Sequence, residues 1–222
     1  MNDPDLLLAI DAASPRVSVA IGNGGRILAE RAVEIERSSG RLVGLISEVL
    51  AEAGAQAADL GGIVALRGPG SFTGLRVGLA TALGFHQALG VRATALSTLH
   101  VLSTLAQGPV AAAVDALRGE WSVQAFNPPG PPGEMELLPG GEIPRLLPGE
   151  AGTVVGFGVS RLAGPDWPAG IRLLEAGPLA GAAVRLAAAL DRDLDWDPDL
   201  LVRPLYSRPP AITPARPRRS MT

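Results

Sequence analysis

Three strand signals follow one another at the start of this chain with only turns between them, and helices enter only afterwards. Residues 6–11, LLLAID, form a short apolar run of the buried kind, 16–22, RVSVAIG, alternate, and 25–35, GRILAERAVEI, are longer and more polar. The connectors AASP and GNGG are turn chemistry, and Asn23-Gly24 is a strong hairpin signal. An antiparallel meander is therefore expected before any helix. After it the signals alternate. Residues 38–54 place Leu42, Leu45, Ile46, Val49 and Leu50 at helical spacing between a Ser at the expected N-cap and a closing Gly. A strand at 61–66, a helix after Ser71, a strand VRATAL and a short helix at 97–108 complete the order β-β-β-α-β-α-β-α. That order predicts a mixed sheet with helices packed on it.

Beyond Gly108 the pattern partly restarts. PVAAAVDAL and GEWSVQAF read as strands, residues 127–150 are so rich in Pro and Gly that they read mainly as loop, TVVGFG is a strand, and 178–190 a helix entered through Pro178. The expected organisation is a first subdomain over 1–108, a second and shorter one over 109–202 with the Pro/Gly-rich insert, and an Arg/Pro-rich tail over 203–222. The tail holds five arginines and no acids, so it is expected to be disordered or laid along a surface.

Composition excludes several chemistries. Cysteine is absent, so disulfides, thiolate metal sites and a Cys nucleophile are ruled out. Every one of the 19 basic residues is arginine, which removes a lysine phosphate clamp and Schiff-base chemistry. The two histidines, His86 and His100, lack the i, i+4 spacing of a helical metal pair, so no metal site is expected. A net charge of -3 supplies no global attraction to nucleic acid. No window is long and apolar enough for a membrane span, and the acidic start lacks a secretory pattern; a cytoplasmic protein is expected.

The densest motif is RGPGSFTGLRVGLATALGF, residues 67–85. It is not a Walker loop, because no lysine follows the glycines, and not a dinucleotide fingerprint, because Gly74 falls one residue too late after Gly68 and Gly70. An anion contact at the strand-to-helix turn stays open, and Asp11, Ser14 and Arg76 are the candidates for it. A second reading explains more. Gly74, Gly78 and Ala82 recur every four residues and form one smooth stripe. Each glycine inside a helix costs about 1 kcal/mol relative to alanine, and close approach of another helix or another protein would offset it. Leu75, Leu79 and Leu83 would flank the contact, and Gly78→Leu should block association while leaving the chain soluble.

This motif resembles the signature GRGPGSFTGVRIG of the bacterial tRNA threonylcarbamoyladenosine biosynthesis family called TsaB or YeaZ. AIDAAS, DALRGE (115–120) and RPLYSR (203–208) resemble further segments of that family, and the likeness is densest over 6–126. The resemblance implies an α/β fold of the actin/Hsp70/sugar-kinase type, two ribonuclease-H-like subdomains with mixed sheets flanked by helices. It implies a subunit without catalytic residues or cofactor. Such a subunit would associate with the transferase TsaD, which with the ATPase TsaE attaches threonylcarbamoyl to adenosine 37 of tRNAs reading ANN codons; contact with tRNA would be indirect. Its family interface lies on the first two helices, which also make homodimers. On this chain that points to Leu42, Leu45, Ile46, Gly74, Leu75, Gly78, Leu79 and Ala82. Departures exist: Asp11-Ala12-Ala13-Ser14 lacks the glycine of a phosphate-binding first turn, and Leu117 stands where Arg is usual. The competing readings are a nucleotide-dependent phosphotransferase of the same fold and a metallopeptidase, the latter poorly served by two isolated histidines. The tail cluster Arg216, Arg218 and Arg219 is the one local electrostatic lure for tRNA.

Overall fold

A computed structural model describes residues 5–34, 40–190 and 193–208. Two five-stranded mixed sheets carry the same internal order. In the first, β3(Arg26–Glu34), β2(Arg16–Asn23), β1(Leu6–Asp11), β4(Gly62–Leu66) and β5(Arg92–Leu96) lie side by side. In the second the neighbours are β8(Met135–Pro139), β7(Glu120–Phe126), β6(Val110–Asp115), β9(Gly152–Gly156) and β10(Ile171–Glu175). Each sheet begins as an antiparallel meander and continues in parallel from its own first strand, with Leu8 opposite Ile63 in one and Ala111 opposite Val154 in the other. The expected α/β class with two ribonuclease-H-like halves is what the chain adopts. The hairpin signal lands one residue late: Asn23 pairs Arg26, and Gly24 and Gly25 occupy the turn, both at positive φ as a two-residue hairpin turn of the I′ kind demands.

The helices are α1(Leu42–Glu52), α2(Phe72–Leu89), α3(Thr98–Ser103) and α4(Ala180–Leu190). The outer face of the first sheet is covered by α1 and α2, which close a core around Ile10, Leu45, Ile46, Ile63 and Leu79. Between the sheets lies a central core built by α3, packed on β6, and by α4, packed on β1, β2 and β3. Helix α4 can lie that close at its start because its first four positions, all buried, are small: Ala180, Gly181, Ala182 and Ala183. Its first amides, which have no partner inside the helix, are met from the first sheet. Ser18 Oγ accepts from Ala180 N at 3.1 Å and Glu30 Oε1 from Gly181 N at 2.9 Å. The outer face of the second sheet has no α-helix among the described residues; 3-10 turns at Gly140–Leu146 and Val159–Leu162 pack Ile143 and Val159 into one cluster with Trp121 and Val123 instead.

Several expectations are corrected. Residues 127–150 are not mainly loop. They supply β8, whose Leu138 is buried, and the turn that buries Ile143, because alternating apolar residues between the prolines still reach the sheet. Strand β10 had no recognised signal. The helix expected over 97–108 ends at Ser103. Ser38 lies outside the described residues, and the residue preceding α1 is Arg41, which makes no side-chain capping bond. The chain also returns after α4. The 3-10 turn Pro198–Val202 packs on β5 and α2, burying Leu201 in the first half, and residues 203–208 then run on toward the second. Tail residues 209–222, with Arg216, Arg218 and Arg219, lie outside the described residues. Among those described, no helix is long and apolar enough to cross a membrane.

Candidate partner surface and cleft

Helix α2 is closed at both ends by its own sequence. Ser71 Oγ accepts from Gly74 N at 3.2 Å, and Gly90, left-handed with φ 66°, returns its N–H to His86 O at 2.9 Å. The glycine stripe along it faces inward. A Cβ on Gly74 would fall inside the contact radius of the Ala12 carbonyl oxygen, and one on Gly78 would stand 3.1 Å from Ala12 Cβ. Gly70 is equally constrained by the carbonyl of Ala13, which accepts from Ser71 N at 2.8 Å. The glycines therefore receive the chain's own β1–β2 turn rather than phosphate or a neighbouring subunit.

This corrects the interface assigned from the sequence. Leu42, Leu45, Ile46, Gly74, Leu75, Gly78, Leu79 and Ala82 are all buried in the chain's own packing, the large ones at 3% exposure or less. Helical spacing identified the apolar stripe correctly but not what it meets, and Gly78→Leu would disturb the β1–β2 turn before it disturbed any partner. The face that α1 and α2 turn outward is a different set. Val43 is 58% exposed, and with Thr81, Gly84, Phe85, Ala88 and Leu89 it lines a shallow apolar groove of about 350 Å³ between the two helices. The legible signal for it was present: these residues interrupt the polar face that a helix normally offers to water.

Of the three anion candidates, Asp11 and Ser14 are neighbours, but Arg76 is not brought to them. Asp11 and Ser14 are buried in the first half, Arg76 is exposed, and none lines the cleft between the halves. Asp11 Oδ1 accepts from Ala13 N at 2.9 Å and Ser14 N at 3.1 Å, while its Oδ2 has no hydrogen-bond partner among the described residues. Burial pushes its carboxyl up from the ordinary 3.8 to about 6, with the two amides offsetting part of the rise. The Arg76 guanidinium instead lies 3.9 Å over the Phe72 ring.

The cleft itself, about 470 Å³, sits at the carboxyl ends of the central strands and was not anticipated as a set of residues. Its charges are internally matched. Arg161 pairs with Asp115 at 2.9 Å, and Arg16 with Glu34 at 2.9 Å. The Glu175 carboxylate accepts from Gly158 N and Ser160 N, both at 2.7 Å. Burial raises the Glu175 carboxyl, but its bonds from Ser160 and Gly158 together with the Arg161 charge outweigh that and hold it below its usual value. Of the histidines, His86 Nδ1 stands 2.7 Å from Val91 O and His100 stacks on Phe126, where burial lowers its pKa.

Comparison with known proteins adds a separate line of argument. The family model described as TsaD, tRNA N6-adenosine threonylcarbamoyltransferase, matches residues 30–126. The "tRNA threonylcarbamoyladenosine biosynthesis protein TsaB" of Escherichia coli is 34% identical over 122 residues, covering 51% of this chain and 52% of that protein. The chain thus spans about half the length of the curated relatives it matches. Among solved structures, YeaZ from Pseudomonas aeruginosa superposes with a TM-score of 0.71 at 27% identity, covering 87% of this chain and 93% of its own. Component A of (R)-2-hydroxyglutaryl-CoA dehydratase from Acidaminococcus fermentans gives 0.50 at 14% identity over 83% and 96%, a likeness of fold alone.

Proposed function

We propose that this chain, which is similar to TsaB of Escherichia coli and YeaZ of Pseudomonas aeruginosa, is the non-catalytic partner subunit of the threonylcarbamoyl-transfer complex. It binds and supports the catalytic subunit TsaD, and through that complex it works beside the ATPase TsaE in making N6-threonylcarbamoyladenosine at position 37 of tRNAs reading ANN codons. The reaction is a cytoplasmic one, and in the absence of TsaD the same face pairs two copies of the chain. The observation that carries this reading is the outward groove of α1 and α2. Two adjacent helices expose Val43 and Ala88 beside the half-buried Phe85 and the gap left by Gly84, where a lone subunit would ordinarily show polar side chains. A specific interface buries about 1,600 Å² in total, and a helix pair of this length supplies its apolar centre.

The phosphotransferase alternative draws no support from the first turn. The β1–β2 turn that would approach a phosphate is packed under the start of α2, with Ser71 N bonded to Ala13 O. The cleft behind it is lined by paired charges.

Co-purification with TsaD tests the reading. Wild-type chain should co-elute and restore tRNA modification to TsaD and TsaE. Val43→Arg should weaken the association at least tenfold while leaving the circular dichroism and melting temperature of the chain unchanged. Leu137→Arg, at an exposed apolar position on the second half, should bind as wild type. Undiminished association of Val43→Arg would place the contact elsewhere, and modification that proceeds equally well without the chain would overturn the function.

A further inference from the structure

Residues 203–208 do not trail away from the fold; they cross from one half to the other. On the first half, Leu205 N donates to Arg67 O at 2.6 Å, and Arg67 Nη1 reaches Arg203 O at 3.4 Å. Gly68 makes room for this crossing. Its φ of 104° suits glycine, and any Cβ there would collide with the Leu205 carbonyl oxygen. One residue on, the Tyr206 ring lies 5.2 Å from that of Phe72 at the first turn of α2, and Arg76 Nε stands 3.4 Å from the Tyr206 hydroxyl. On the second half, Arg208 forms an ion pair with Glu120 and donates to Ala116 O at 3.3 Å.

The second anchorage is a strained one. Between Ala116 and Glu120 the backbone turns through Leu117 at φ 67° and Arg118 at φ 59°, left-handed conformations that neither side chain favours. Such a turn persists where its surroundings hold it, and Arg208 grips both of its ends. The two anchorages also share a location. The β4–α2 corner and the β6–β7 turn both lie at the strand ends that form the cleft, which Gly70, Ser71 and Asp115 line.

We propose that residues 203–208 are a strap that fixes the angle between the two halves at the cleft, latched at its far end by Arg208 on the β6–β7 turn. Because the same strap seats on Phe72 and Arg76, the opening of the cleft is coupled to the start of α2. The strap does not depend on which partner, if any, that helix meets. Removing the latch should let the halves change their separation at the cleft while the shared central core keeps them joined.

The chain has no cysteine, so a pair introduced at Pro15→Cys and Ala163→Cys, exposed positions on opposite halves, can be spin-labelled cleanly in the full-length protein. With the strap intact, electron–electron resonance should give one narrow distance distribution. Arg208→Glu should broaden it or add a second distance, and adding Glu120→Arg should restore the narrow one. Should Arg208→Glu fail to fold, Arg208→Gln keeps the length and removes only the charge, and it should broaden the distribution too. A distribution unchanged by loss of Arg208, or one that the exchanged pair leaves broadened, would overturn the strap.

Discussion

The two halves of the chain are built on one sheet topology and clad in different ways. Both order their strands as third, second, first, fourth, fifth. On the first, α1 and α2 cover the outer face; on the second, 3-10 turns between prolines do so. The free edges differ as well. Strand β5 is covered by the returning turn Pro198–Val202, with Thr94 Oγ1 donating to Asp195 O at 2.7 Å, whereas at β10 the Trp167 indole donates to Ile171 O at 3.3 Å. Even the central aspartates diverge. Asp11 ends β1 fully buried, and Asp115 ends β6 half-exposed beside Arg161. A common backbone thus supports a tightly filled half that presents helices and a looser half held by short turns and surface charge. Proline and glycine between residues 127 and 150 are the cause, since they deny the second half a helix at the place where the first has α1.

The sharpest way to break this contrast is to fill the space that the first half leaves empty. Gly74→Ala drives a methyl into the backbone carbonyl of Ala12, which cannot swing aside as the end of a side chain could. A loss of at least about 3 kcal/mol is expected, at the upper end of overpacking effects, measured by urea unfolding. Gly141→Ala in the second half meets nothing within 4 Å and should stay within about 0.5 kcal/mol of wild type. Equal tolerance at both sites would mean that the first half is no more tightly packed than the second.

Asp11 sharpens the contrast through pH. Its folded-state pKa of about 6 exceeds the ordinary 3.8, so between these values the folded chain binds the proton more strongly than the unfolded chain does. Its contribution to stability is therefore greatest in acid, declines as pH rises from about 4 to about 6, and above that stands as a penalty on the order of 3 kcal/mol. Asp11→Asn keeps the Oδ1 acceptor for Ala13 and Ser14 without the charge. The difference in unfolding free energy between variant and wild type should shift in the variant's favour across that window and stay flat above it. A difference that does not change with pH would show that Asp11 is better solvated than its burial implies.

Much of this fold was legible because hydrophobic period and turn chemistry act locally. The meander, the Gly24 turn, β4, α2 and β5 follow from residues a few positions apart. What escaped was set at long range. Strand β10 carries Arg172 and Glu175 among three apolar residues, so its pattern is weak until β9 provides a partner. The insert was read from its prolines, although Leu138 and Ile143 between them complete a core that only the folded sheet defines. At the candidate surface, periodicity showed that Gly74, Gly78 and Ala82 share a face, but the surface they meet begins more than sixty residues earlier, at Ala12. Burial of that face is what leaves Val43, Gly84 and Phe85 outward.

A gentler substitution separates the two faces of α2 itself. Gly84 meets nothing within 4 Å and lies on the exposed side, so Gly84→Ala should raise stability by about 0.5–1 kcal/mol through helix propensity alone. Gly78→Ala, on the buried side, gains the same propensity but sets its methyl 3.1 Å from Ala12 Cβ. It should give back most of the gain. Thermal melts of the two variants measure the difference, and identical gains would show that the buried stripe has room to spare.

The smallest effect belongs to the second half's charges. Arg161 and Asp115 have side chains 61% and 33% exposed, so water competes for both and holding the long Arg side chain costs rotamer entropy. Their coupling, obtained from a double-mutant cycle of Arg161→Gln and Asp115→Asn, should be below about 1 kcal/mol and should weaken further in high salt. Asp115→Asn must be read through the cycle rather than alone, because Asp115 Oδ1 also accepts from Leu117 N at 2.7 Å and so holds the left-handed turn. A coupling above 2 kcal/mol would reverse the ranking of the halves, since the looser one would then owe its cleft wall to electrostatics rather than to the packing of Trp121, Ile143 and Val159.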